Sequence, residues 1–79
     1  PNPAKRFINS RINDFHGLAA EVSLVNSLGI VQKKINLPEI DDQVLTIDVR
    51  DLESGVYWLH VLPQNRKALV QKVVIDTGK

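Results

Sequence analysis

A chain of 79 residues makes one small domain and leaves no room for a second. Its composition, 43% apolar and 24% charged, is that of a globular module, and no apolar run approaches the roughly 20 residues of a membrane-spanning helix. Ten Lys and Arg against nine Asp and Glu leave a net charge of +1, too balanced for a nucleic-acid binder, and the lack of cysteine excludes disulfides, thiolate metal sites and cysteine nucleophiles.

The start, Pro1-Asn2-Pro3, is rigid and short of backbone donors, as suits a linker running into a domain. It lacks the apolar centre of a signal peptide, and the chain has no methionine. The expectation is a piece of a longer protein whose targeting information lies elsewhere or in the fold itself. From Lys5 to Ile12 an imperfect alternation predicts a first strand, with Ile8 and Ile12 inward and Phe7 partly covered. Asn13-Asp14 and His16-Gly17 read as a polar turn. Leu18, Val22, Val25 and Gly29 fit helical spacing, and Ala19-Ala20-Glu21 would suit a helix. Val22 to Asn26 followed by Ser27-Leu28-Gly29-Ile30-Val31 fits two strands joined by a tight turn instead. Gly29 supplies the positive φ such a turn needs, which favours the hairpin.

Ile30 to Leu37 continues as the second arm and stops at Pro38, and Glu39 to Gln43 reads as an acidic loop. Val44 to Val49 has the clearest period of two, with Leu45, Ile47 and Val49 inward and Thr46 and Asp48 outward. Asp51 to Leu62 joins a turn around Gly55 to the longest apolar run of the chain. That run, flanked by Ser54-Gly55 and Pro63, reads as a strand buried on both faces. Pro63-Gln64-Asn65-Arg66 is a polar reversal. Ala68 to Ile75 is a last strand with Leu69, Val73 and Ile75 in one register, and Asp76-Thr77-Gly78-Lys79 is expected to fray. The pattern predicts an all-β fold, an immunoglobulin-like antiparallel β-sandwich of six to seven strands.

The residues that could carry chemistry do not assemble into a known pattern. His16 falls in a turn and His60 on a strand, with no Asp-x-His or His-x-His pairing, so both read as structural or solvent-facing. Ser54 lacks a Gly-x-Ser-x-Gly setting. Asp41-Asp42 and the set Asp48, Asp51, Glu53 do not follow calcium-hand spacing and read as turn-capping or solvated carboxylates. Trp58 could stack on a sugar, but a single aromatic reads as strand packing. No glycine-rich phosphate loop occurs. The chain is therefore expected to be no enzyme and to hold no cofactor or metal. The acidic residues from Glu39 to Glu53 and the basic Arg66, Lys67, Lys72 and Lys79 are expected to face each other rather than to form a charged docking face. Leu52, five residues before Tyr57 and across a glycine turn, predicts a tyrosine corner in which the Tyr57 hydroxyl bonds backbone upstream.

Several stretches together resemble a known family. Pro1-Asn2-Pro3-Ala4-Lys5, Val22-x-Leu24-x-Asn26-x-x-Gly29, Ile47-x-Val49-x-x-Leu52-x-Ser54-Gly55-x-Tyr57 and Lys72-Val73-Val74-Ile75 occur in the order and spacing of the type A C-terminal sorting domains of Bacteroidetes. These accompany proteins exported by the type IX, or Por, secretion system. The resemblance covers nearly the whole chain and implies a single domain, residues 1–79, at the end of a larger secreted protein. It implies an address read by the type IX translocon and shuttle proteins after Sec export of an N-terminal cargo. A sortase-like peptidase would remove it, and the cargo would be released or fixed to the cell surface. The recognised surface implied by resemblance includes Leu52, Ser54, Gly55 and Tyr57 with Lys72, Val73, Val74 and Ile75. Pro1, Asn2, Pro3 and Gly29 serve as motif or structural positions. The rival expectation is an immunoglobulin- or fibronectin-like adhesive or carbohydrate-binding module.

Overall fold

The computed structural model describes residues 4–12, 17–40 and 43–79. The period-two segments become six strands: β1 (Phe7–Ile12), β2 (Ala20–Asn26), β3 (Val31–Leu37), β4 (Gln43–Asp48), β5 (Gly55–Pro63) and β6 (Leu69–Ile75). They divide into a four-stranded sheet of order β3-β2-β5-β6 and a two-stranded sheet β1-β4, with every strand pair antiparallel. The result is an all-β, sandwich-like arrangement, as the strand spacing predicts. Ala4 adds a short parallel bridge to Ile75, with its amide donating to the Val74 carbonyl at 2.8 Å and its carbonyl accepting from the Asp76 amide at 2.8 Å.

The first hairpin forms because its turn is specified locally. Asn26 Oδ1 accepts from the amides of Leu28 (2.9 Å) and Ile30 (3.0 Å), and Gly29 takes φ +83°, a conformation that favours glycine. The helical alternative for Leu18–Gly29 is thereby overturned. β2 is extended from Ala20 and is paired on both sides, and its β-branched residues suit that setting. A bulge after Leu24 puts one extra β3 residue, Gln32, between Lys33 and Val31.

The core lies between the sheets. From β2 come Ala20, Val22 and Leu24; from β5 Tyr57, Leu59 and Val61; from β6 Val73 and Ile75; from the smaller sheet Ile8, Leu45 and Ile47, with Val49 and Leu52 following it. Leu45, Ile47 and Val49 are inward and Thr46 and Asp48 exposed, as the alternation of that segment demands. Phe7 is partly covered by the Arg50 guanidinium, 5.1 Å from its ring centroid. The Ile12 side chain, the turn residues Asn13 to His16, and Asp41-Asp42 lie outside the described residues.

Two expectations fail. β5 is not buried on both faces: Tyr57, Leu59, Val61 and Pro63 are buried, whereas Val56, Trp58 and Leu62 are exposed. The second sheet has two strands and packs on one face only of the larger sheet, so an apolar run as continuous as a buried strand is covered on one side. The segment after β3 is not simply an acidic loop. Ile40 is fully buried, with its amide donating to the Leu18 carbonyl (2.8 Å) and its carbonyl accepting from the Gly17 amide (2.7 Å).

Candidate functional site

The β5–β6 register pairs Gly55 with Ile75 and Tyr57 with Val73, which carries the turn before β5 alongside the chain's last residues. The β2–β5 register pairs Asn26 with Tyr57, so the Gly29 hairpin lies at the same end of the sheet. Three stretches far apart in sequence thus converge on one end of the sandwich.

Within that end, Tyr57 is the fixed point. Its ring is buried, and its hydroxyl donates to the Glu53 carbonyl at 2.7 Å, closing the turn that Gly55 opens. Leu52 is buried beneath the same turn. The predicted tyrosine corner is present. Burial, with the nearby Glu53 charge, raises the Tyr57 phenol above its ordinary pKa, so it stays a donor at neutral pH.

Ser54 joins the turn to the tail. Its Oγ accepts from the amides of Thr77 (3.1 Å) and Gly78 (3.2 Å), and its own amide donates to the Lys79 carbonyl at 2.8 Å. The Thr77 hydroxyl donates to the Leu52 carbonyl at 2.6 Å. The expectation that Asp76 to Lys79 would fray is therefore wrong. A serine two residues after Leu52 and a threonine 23 residues later have no visible relation in sequence, and only the β5–β6 register brings them together.

The charges beside this end form pairs. Asp51 binds Lys33 Nζ through both carboxylate oxygens (2.9 and 3.0 Å), and Asp48 binds Arg50 at 2.8 Å. Among the described residues, Asp51 and Asp48 thus take Lys33 and Arg50 as partners, and Lys79 lines the same shallow cleft. The Arg50 guanidinium, seconded by the Arg50 backbone amide, holds the Asp48 carboxyl down at about 2. The Lys33 ammonium lowers Asp51 in the same way.

The eight residues singled out as a recognition surface divide by burial. Leu52, Tyr57, Val73 and Ile75 are core; Ser54, Gly55 and Lys72 are exposed and Val74 is half-buried. Gly29 is exposed at the hairpin tip. Pro1, Asn2, Pro3 and His16 lie outside the described residues. His60 is half-buried on β5 opposite Ser23 and Val70. The bonds of Thr77, Lys79 and the buried Ala4 were not foreseen in the sequence, because backbone and hydroxyl bonds leave no periodic trace. Among the described residues, no three His, Asp or Glu side chains are placed to hold a metal ion, and no helix is long and apolar enough to cross a membrane.

A family model described as a secretion system C-terminal sorting domain matches residues 1–76 of the chain. No curated protein and no solved structure matches it.

Proposed function

The chain belongs to the family of secretion system C-terminal sorting domains, and from that premise we propose that its address is the composite end built by the Leu52–Tyr57 turn, the end of β6 and the tail. The family's role is that of a type IX secretion signal, marking an attached cargo for export through the outer membrane to the cell surface or beyond. The observation that carries the reading of the site is the Ser54 hub, whose bonds to Thr77, Gly78 and Lys79 make one surface of two stretches 23 residues apart.

On this reading the eight residues do two jobs. Leu52, Tyr57, Val73 and Ile75 touch no partner; they hold the shape of the end from below. Ser54, Gly55, Lys72 and Val74 present it. A fold that keeps this end rigid offers the same outline whatever cargo precedes it, which is what a signal shared by unrelated cargoes requires. Residues 1–79 then act as a single domain at the C-terminal end of a longer exported protein. The translocon and shuttle proteins read it, and a sortase-like peptidase removes it. The reading assigns no catalysis to the chain and uses no cofactor.

The test fuses residues 1–79 behind a Sec-exported fluorescent protein in a type IX-competent strain. The fusion is expected outside the outer membrane, and to stay in the periplasm when Leu69 to Lys79 is deleted or the translocon is disabled. Export of the truncated fusion at the intact level would overturn the reading.

A further inference from the structure

The uncovered face of the four-stranded sheet is apolar, and its residues are arranged in rows rather than scattered. The cross-strand registers place Val31, Val25, Trp58 and Lys72 side by side across all four strands. The neighbouring rows add Val56 beside Val74 and His60 beside Val70. Trp58 is 38% exposed near the middle of this face, and Val31, Leu62 and Val70 are each more than half exposed. A contiguous apolar area on a domain of this size marks a contact surface more often than a lone exposed leucine does.

We propose that this outer face, centred on Trp58, docks a protein of the export machinery through a surface that is apolar in the middle and acidic around it. The proposal rests on the sorting reading above and adds a second contact to it. Two observations select this occupant. The face is continuous with the composite end: Val56 follows Gly55 directly, and Lys72 and Val74, the two outward residues of β6 nearest that end, sit beside Trp58 and Val56 in the ladder. Its charge is also one-sided. Glu21, the one carboxylate in the paired rows, is matched by Lys34 at 3.4 Å, and the adjoining loop adds the exposed Arg66 and Lys67 with no carboxylate among its residues. A second copy meeting the first face to face would bring like charges together, whereas an acid-rimmed partner is attracted and steered. A lipid surface fits less well, because Glu21, Ser23 and Asn36 share the face and a single aromatic anchors it.

Trp58 is the chain's one tryptophan, so its fluorescence reports this face alone. The test compares export of the fluorescent fusion carrying Trp58→Ser, Val70→Glu, Val70→Lys or Val44→Glu, each first checked for an unchanged melting temperature. Val44 is the control, 51% exposed but on the smaller sheet. Trp58→Ser and Val70→Glu are expected to lower the exported fraction roughly tenfold, as loss of a central anchor does. Val70→Lys should cost less than Val70→Glu, and Val44→Glu should export like the unmodified fusion. Folded Trp58→Ser and Val70→Glu variants that export normally overturn the proposal, and equal losses for the two Val70 variants overturn the acidic rim. On the isolated chain, a blue shift of Trp58 emission with phosphatidylglycerol vesicles would give the face to lipid. A sedimenting dimer abolished by Val70→Glu would give it to a second copy; either result overturns the proposal, while an unshifted monomer supports it. Failure of the unmodified fusion to be exported would remove the sorting reading and this proposal together, an outcome distinct from failure of the variants alone.

Discussion

A single hydroxyl holds the corner of this domain. In Tyr57→Phe the Glu53 carbonyl loses its 2.7 Å donor, and because that turn is open to water the cost should be about 1 kcal/mol. For a chain of this length that lowers the melting temperature by roughly 4–8 °C, read by circular dichroism; an unchanged midpoint would deny the hydroxyl its role. The raised phenol pKa fixes the sign of the pH dependence. The contribution is complete below the unfolded value of about 10 and is lost as pH rises through the folded one. The corner is thus insensitive to neutral and acid pH. Asp48 runs the other way. Its carboxyl is depressed to about 2 by Arg50, so the pair's contribution is present above the unfolded value of about 3.9 and is lost as pH falls through the folded one. Carboxyl NMR should find Asp48 titrating near 2; a midpoint close to 3.9, the unperturbed value, would mean that the pair does not form in solution. The corner itself was legible from Leu52, Gly55 and Tyr57, since its spacing is local. The choice of Lys33 for Asp51 was not, because an ion pair 18 residues apart depends on where two strands meet.

Among the elements, the hairpin and the tail show what local sequence can and cannot encode. Gly29 announces its turn by itself, and its φ of +83° makes Gly29→Ala a loss of about 1–2 kcal/mol, measurable as a lower urea midpoint. A midpoint unchanged by that substitution would mean that the hairpin tolerates another turn. The tail gives no such notice. Asp76 to Lys79 is polar and short, the usual look of a fraying terminus, yet Ser54 and Thr77 fasten it from both sides. Ser54→Ala should release the Thr77 and Gly78 amides, and their hydrogen exchange should quicken roughly tenfold for about 1 kcal/mol of lost bonding. Exchange at the original rate would show that the carbonyl contacts suffice without the hydroxyl. The same limit explains β5. An apolar run states that a strand can be buried twice, but the width of the opposing sheet decides whether it is, and that width is a property of β1 and β4.

For the whole molecule, smallness governs the energetics. A 79-residue domain is expected to be stable by about 4–12 kcal/mol in all. Leu24 and Leu59 face each other across β2 and β5 with almost no exposed surface. Leu24→Ala should remove about 3 kcal/mol, seen as a marked fall in the urea midpoint, and a loss under ~1 kcal/mol would indicate a core that collapses around the gap. The class of fold was readable from strand periodicity, and the family from the ordered stretches between Pro1 and Ile75. The division into four strands and two was not, nor was the physical join between turn and tail. Ala4 gives the final consequence. Its two hydrogen bonds fasten the chain to Val74 and Asp76 before β1 begins, and the pairing is parallel. A pull transmitted along the backbone from the first residues therefore loads β6 before it reaches β1, and those bonds bear it in shear rather than peeling one by one. Mechanically, β6 is the strand that takes a load applied ahead of Ala4.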